Sequence, residues 1–312
     1  MSYSNVLNIP SGNAICYSGF REGQHPGGKY PSYEEVKEDL LLLTKNWNYL
    51  RLYDCDPHSD TVLEVIKNEK LDFKVMLGAY IVAETNNHGC PWGGIYPEEQ
   101  LIRNQEKNVL QINKLIQLAN EYPEIIFSLS AGNEACVDWT DHYVPVERVI
   151  EYVRMIKQGA KQPVTFCENY VPWLHKLEAL VHEVDFISIH TYPVWEYKNS
   201  DEALAYTQQN YFDVANRYPD KTVVITEAGW TTNSNGHGIA VHNANEELQE
   251  SYYHDLVNWT NEAGILTFVF EAFDEPWKGS SEAHEPEKHW GVFKVDRTPK
   301  RVMHSLFNNQ MV

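Results

Sequence analysis

No stretch of this chain has the roughly 18 consecutive apolar residues that a membrane-spanning helix needs; the longest candidates, such as residues 265–270, are strand-sized. Cysteine is sparse. Five occur in 312 residues, at positions 16, 55, 90, 136 and 167, with no C-x-x-C pair. That spacing excludes a zinc ribbon or a thioredoxin-type redox motif, and an odd, scattered count suits free thiols in a reducing compartment. Basic residues are also few: 25 Lys and Arg stand against 44 Asp and Glu, a net charge of −19. So negative a surface repels phosphate backbones and anionic headgroups. Neither nucleic acid nor membrane is an expected partner, and a neutral or cationic ligand is favoured over a polyanion. Residues 1–10 lack the basic and apolar regions of a secretion signal. The cytoplasm is the expected compartment, or the periplasm or exterior if a leader has been removed.

What is present is a repeating pattern. Short runs rich in Val, Ile, Phe and Tyr occur at residues 14–18, 49–53, 73–78, 125–130, 163–167, 186–190, 222–226 and 266–270, each too short for a helix. Between them lie segments with apolar residues at three- and four-residue spacing, predicted as helices over 34–44, 61–70, 98–121, 146–159, 173–181, 201–218, 245–263 and 299–307. Eight strands at a mean spacing of about 36 residues point to a parallel sheet with crossover helices. Eight such units favour a closed (β/α)8 TIM barrel, an α/β fold. No low-complexity tract or linker divides the chain, so a single domain over residues 1–312 is expected. No G-x-G-x-x-G follows the first strand, which disfavours an open dinucleotide-binding sheet.

In a barrel the chemistry sits at the C-terminal ends of the strands. Those ends are polar here. The second run leads to Arg51, Tyr53 and Asp54, the fourth to Asn133 and Glu134, the sixth to His190 and Tyr192, the seventh to Glu227 and Trp230, and the eighth to Asp274, Glu275, Trp277 and Lys278. Seven of the nine tryptophans (92, 139, 173, 195, 230, 277 and 290) fall in loops after predicted strands. Two or three of these are expected to pack under loops. The others suit a ligand with flat apolar faces, such as a pyranose, and Trp230 and Trp277 are the expected platforms. Trp47 and Trp259 are expected in the core.

Two glutamates at the ends of strands four and seven suit glycosidic bond cleavage. One carboxylic acid protonates the leaving oxygen, while a second carboxylate attacks the anomeric carbon or activates water; a separation of about 5–5.5 Å gives retention. A metal-dependent hydrolase is a rival reading that the 13 histidines invite, but they include no His-x-His or His-Glu-x-x-His. No metal and no cofactor is expected.

Asn133-Glu134 and the run from Thr226 to Trp230 resemble the retaining glycosidases built on a (β/α)8 barrel. Together with the stretches 50–54, 270–278 and 287–293 they are similar to glycoside hydrolase family 17, the β-1,3-glucanases, over nearly the whole chain. The resemblance implies Glu134 as acid/base, Glu227 as nucleophile, and Asn133 as the partner of the 2-hydroxyl in the reacting subsite. It implies Tyr53, Phe273, Glu275, Lys278 and Glu287 around the cleavage point. Arg51 and Tyr192 match positions that brace the nucleophile or the sugar. The implied partner is β-1,3-glucan or a laminari-oligosaccharide, handled by a monomer. Alternatives are a β-1,3-glucanosyltransferase using the same glutamates, and a glucan-binding barrel without catalysis. Asp274 stands where plant members carry Asn, and the glycine-rich stretch 18–31 and the segment 87–94 look closer to bacterial members. The loop 86–96 is expected to wall off one end of the cleft and to favour exo action.

Overall fold

The computed structural model describes residues 3–306. Eight strands run in chain order around a closed parallel barrel: β1 (Ala14–Cys16), β2 (Tyr49–Leu52), β3 (Lys74–Gly78), β4 (Ile126–Asn133), β5 (Val164–Asn169), β6 (Ile187–Thr191), β7 (Val223–Ala228) and β8 (Thr267–Val269). Ala14 and Ile15 of β1 pair with Phe268 and Val269 of β8 and close the ring. The strands are buried at almost every position, because one side faces the barrel interior and the other faces helices.

The shell is α1 (Tyr3–Leu7), α2 (Tyr33–Leu43), α3 (Pro57–Glu69), α4 (Glu98–Glu121), α5 (Val146–Gly159), α6 (Tyr170–Leu174), α7 (Glu178–Val181), α8 (Ser200–Arg217), α9 (Glu246–Ala263) and α10 (Arg301–Ser305). Local chemistry sets their limits. Ser32 and Glu35 form a reciprocal capping box at the start of α2. Asp56 caps α3, with Pro57 in its first turn. Asn245 caps α9, and Gly264 ends it in the left-handed conformation. Among the described residues no helix is long and apolar enough to cross a membrane.

All eight predicted strands are present. Four of them run further than their apolar runs, β6 by the single residue Thr191. β4, β5 and β7 continue through Asn133, Asn169 and Glu227, since ladder hydrogen bonds need only backbone groups and tolerate polar side chains at the rim. The helix predicted over 173–181 is two short helices, α6 and α7, and α1 is too short to leave a periodic signal. The last helix ends at Ser305; its predicted end, Phe307, lies outside the described residues.

The junction of β7 and β8 is tight. A Cβ on Gly229 would collide with the Phe270 carbonyl oxygen and the Trp290 ring. Gly229→Ala is expected to cost about 1–3 kcal/mol of stability, the usual range for overpacking, read as a lower urea midpoint at unchanged slope.

Candidate active site

Pairing register brings the polar strand ends to one level. Asn133 of β4 lies opposite Cys167 of β5, Asn169 of β5 opposite His190 of β6, and His190 opposite Glu227 of β7. The ladders shift register just before these residues, between Ser130 and Asn133 and between Ile189 and His190; such bulges re-aim side chains. Glu134 follows with its backbone in the left-handed region, φ 47°. Its N–H is held by the Cys167 carbonyl at 2.9 Å.

Glu134 and Glu227 meet at His190. Its Nδ1 lies 2.8 Å from Glu134 Oε1 and 3.4 Å from Glu227 Oε2, and one oxygen of each carboxylate together with an imidazole nitrogen lie within 4.8 Å of one another. That spacing is well short of the about 6.5–9.5 Å found between the carboxyl groups of inverting enzymes. Glu227 accepts hydrogen bonds from the Arg51 guanidinium and the Tyr192 hydroxyl. Arg51 also donates to Asn133 Oδ1 and stacks on the Tyr53 ring, 4.4 Å from its centre.

The charges are strongly perturbed. Burial opposes the negative charge on Glu227, but the His190 and Arg51 cations and the Tyr192 hydroxyl outweigh it and bring the carboxyl down to about 2. Burial would discharge His190; Glu227, Cys167 and Glu134 reverse that and raise the imidazole to about 10. The thiol of Cys167 is itself brought down to about 7, with burial opposed by Arg51 and His190. Glu134, His190 and Glu227 offer the donor types of a metal site. Two cationic side chains already engage Glu227, with His190 Nδ1 3.4 Å from its Oε2 and Arg51 donating to its Oε1. The cluster is a charge-paired triad.

A second group lies beside it. Lys278 Nζ bridges Glu271 at 2.9 Å and Glu275. Burial and the Glu275 charge push Glu271 well above the ordinary carboxylate range. Half-buried Glu287 is raised to about 7, because burial and the charges of Glu134, Glu285 and Glu227 outweigh Lys278. Glu287 therefore feels the charges of both Glu134 and Glu227, and Lys278 acts on Glu287. The Trp277 ring is 38% exposed and donates its N–H to Glu275 at 3.0 Å.

Three expected ligand contacts are corrected. Phe273 is fully buried, packed against Phe293 and covered by the Arg297 guanidinium 4.2 Å from its ring centre; the chain turns its side chain into the core. Trp230 is fully buried as well. It donates to the Asn243 carbonyl at 2.8 Å and packs on Tyr252, so it is a strut under the loop. Glu275 is sealed beneath Ser18, Trp277 and Lys278 and acts on Lys278. Trp290 is buried too, and so is Trp173, which lies on α6 and donates to the Ser188 carbonyl of β6, so three of the seven are covered by protein. Trp47 is in the core as expected, and Trp259 packs on Tyr211 and Phe212.

Sequence reasoning placed His190 among the polar strand ends without giving it a role, and it missed Cys167 and Glu168 as site residues. A role for His190 was recoverable, because residues two apart on a strand share a face and Tyr192 follows it at that interval. Glu168 is fully buried and accepts the Cys136 N–H at 2.8 Å and the Asn169 N–H at 2.7 Å. Burial and the Glu134 charge raise it to about 8 against those two donors. It ties the segment after Glu134 to the end of β5, and no motif announces it. A cavity of about 300 Å3 lies at the opposite end of the barrel, lined by Tyr3, Trp47 and Asn261 among others. It is remote from the carboxylates, on the face where barrels carry stability rather than chemistry.

A barrel with two facing carboxylates at the ends of β4 and β7 is the architecture of a glycoside hydrolase. The BtgE/BtgC glycoside hydrolase domain matches residues 14–291, and the chain belongs to that family. Its relatives include the glucan 1,3-beta-glucosidase of Arthroderma benhamiae, 30% identical over 90% of this chain and 88% of the relative. The endo-laminarinase from Formosa Hel1_33_131 has a TM-score of 0.82 and 26% identity, covering 99% of this chain and 89% of its own. The glycoside hydrolase family 17 beta-1,3-glucanosyltransferase of Rhizomucor miehei shares the fold, with a TM-score of 0.71 and 23% identity over 93% of this chain and 95% of its own. The chain spans only 40% of the length of the btgC protein of Aspergillus niger, to which it is 26% identical over 86% of its own length. The two sequence relatives named here are from the fungi Arthroderma and Aspergillus, and the expected likeness to bacterial members is not confirmed by them.

His190 and Glu227 set opposite limbs of stability against pH. A histidine raised from 6.5 to about 10 contributes fully below pH 6.5 and loses that contribution as pH rises toward 10. A carboxyl lowered from 4.5 to about 2 contributes fully above pH 4.5 and loses its contribution as pH falls toward 2. The stability advantage of the native protein over His190→Gln is therefore expected to be largest between pH 4.5 and 6.5 and to shrink steadily toward pH 10 and toward pH 2, measured by urea unfolding at each pH.

Proposed function

We propose that this chain is a retaining β-1,3-glucan hydrolase that acts by double displacement, with Glu227 as nucleophile and Glu134 as acid/base. The observation that carries this reading is the geometry of the pair: two carboxylates with oxygens within 4.8 Å, joined through one imidazole. The relatives named as glucan 1,3-beta-glucosidase and endo-laminarinase supply the substrate class. A net charge of −19 suits an uncharged polysaccharide, and the chain is taken to act as a monomer.

In the first step the Glu227 carboxylate attacks the anomeric carbon, the glycosidic C–O bond breaks, and Glu134 gives its proton to the departing oxygen. In the second, Glu134 takes a proton from water, whose oxygen displaces Glu227 and frees the sugar. Each residue around the pair has a task. Arg51 and Tyr192 hold Glu227 ionised and aimed. Arg51 also occupies Asn133 Oδ1, which leaves the Asn133 amide N–H2 as a donor for a sugar hydroxyl. His190 supplies a positive charge between two groups whose charges change in antiphase. Lys278, Glu287 and Trp277 border the bound chain. Transfer to a sugar hydroxyl in place of water uses the same two glutamates, and it would appear as products longer than the substrate at high oligosaccharide concentration. A barrel that only binds glucan would have no need to hold Glu227 ionised at the cost of burying its charge.

Glu134→Gln is expected to lower kcat on laminarin by roughly 10²–10⁴, the usual worth of general acid–base help; near-native turnover would refute the assignment. Glu227→Ala is expected to be inactive and to regain turnover in azide, releasing a glycosyl azide of inverted configuration that NMR identifies. Absence of that product would point to another nucleophile.

A further inference from the structure

Two tryptophans at the barrel mouth are left without a task by the mechanism. Trp92 is 66% exposed and Trp139 is 41% exposed. They stand on the segments after β3 and β4 with ring centres 6.2 Å apart and planes inclined at 49°. Neither is out in solvent for want of anchoring. The Asn87 side-chain amide donates to the carbonyls of Asp138 at 2.8 Å and Thr140 at 2.7 Å. The Tyr96 hydroxyl donates to the Asp141 carbonyl at 2.9 Å. The loop bearing Trp92 is thus laced at both ends to the loop bearing Trp139. That second loop begins at Glu134 itself, and His142 within it contacts the Asn133 carbonyl at 2.9 Å. The two rings are fixed relative to the cleavage point.

Exposed apolar patches on an ordered rim mark places where something binds. This one stands on the loop that begins at Glu134 and on the loop laced to it, so a chain bound at the glutamate pair is the candidate occupant. A pyranose offers an apolar C–H face to an indole and keeps its hydroxyl edges in water. Successive sugars of a β-1,3-linked chain also turn relative to one another, so two faces inclined to each other suit them better than one flat shelf.

We propose that Trp92 and Trp139 form an outer sugar-binding platform that holds a glucosyl unit of the β-1,3-glucan chain beyond those at Glu134 and Glu227. The proposal rests on the substrate class proposed above. It makes the loop 86–96 an extension of the cleft where the sequence suggested a wall, and it gives long chains an advantage over short ones.

The test is the double variant Trp92→Ala/Trp139→Ala, compared with the native chain on long linear laminarin and on laminaritriose. The expected result is a KM for long laminarin raised about tenfold, equivalent to one stacking contact of ordinary strength, with laminaritriose kinetics unchanged. Electrophoresis in native gels containing laminarin, with Glu134→Gln present in both proteins, should show lost retardation for the double variant. An unchanged KM and unchanged retardation, with the native chain active on laminarin, would overturn the platform and leave the hydrolase reading intact. Equal losses on long and short substrates would also overturn it. If the native chain fails to cleave laminarin, the functional reading falls, and the gels still report whether the two rings hold glucan. Should the double variant not fold, Trp92→Ser alone carries the same comparison, and an unchanged retardation for it would count against the platform.

Discussion

A carboxylate such as that of Glu227 cannot be buried and stay charged unless cations are buried with it. Arg51 and His190 meet that condition. The guanidinium lies against Glu227 and Asn133, and the imidazolium lies between Glu227 and Glu134. Much else answers to these two cations. Tyr53 covers the guanidinium with its ring, Cys167 is drawn toward the thiolate by both charges, and Tyr192 completes the hydrogen bonding of Glu227.

The barrel supplies what side chains alone cannot, a common height. Arg51 comes from β2, Asn133 from β4, His190 from β6 and Glu227 from β7. No two of them are near in sequence, and only parallel register brings them level. The register shifts at Ser130 and Ile189 fall immediately below the reacting residues. A third shift, between Ile225 and Ala228, flanks Glu227 itself, and the fourth, between Val75 and Met76, lies away from the reacting residues.

How much of this was legible depended on which physical signal carried it. The strands were readable because residues buried on both faces must be apolar, and a run of Val, Ile and Phe has few other uses. Their polar ends were harder to bound, since Asn133 and Glu227 continue the ladder with no apolar signature. The glutamate pair was legible from its position at strand ends, and Arg51 and Tyr192 from theirs. Burial at the rim was not. Trp230, Trp277 and Trp92 all follow strands, yet the first is sealed beneath a loop and the last lies mostly in water. A loop's path decides that difference, and composition does not encode the path. Glu168 was invisible for a related reason: its partners are backbone N–H groups, and these appear in no sequence pattern.

The left-handed backbone of Glu134 has its own consequence. A glutamate at φ 47° is held against its conformational preference, where glycine or asparagine would rest at ease. Exchange for either would relax the chain at the very residue whose carboxyl is indispensable. The barrel is therefore less stable than a neighbouring sequence could make it, and selection for robustness alone would drift toward an inert relative. Thermal improvement of this protein has to be sought away from that position.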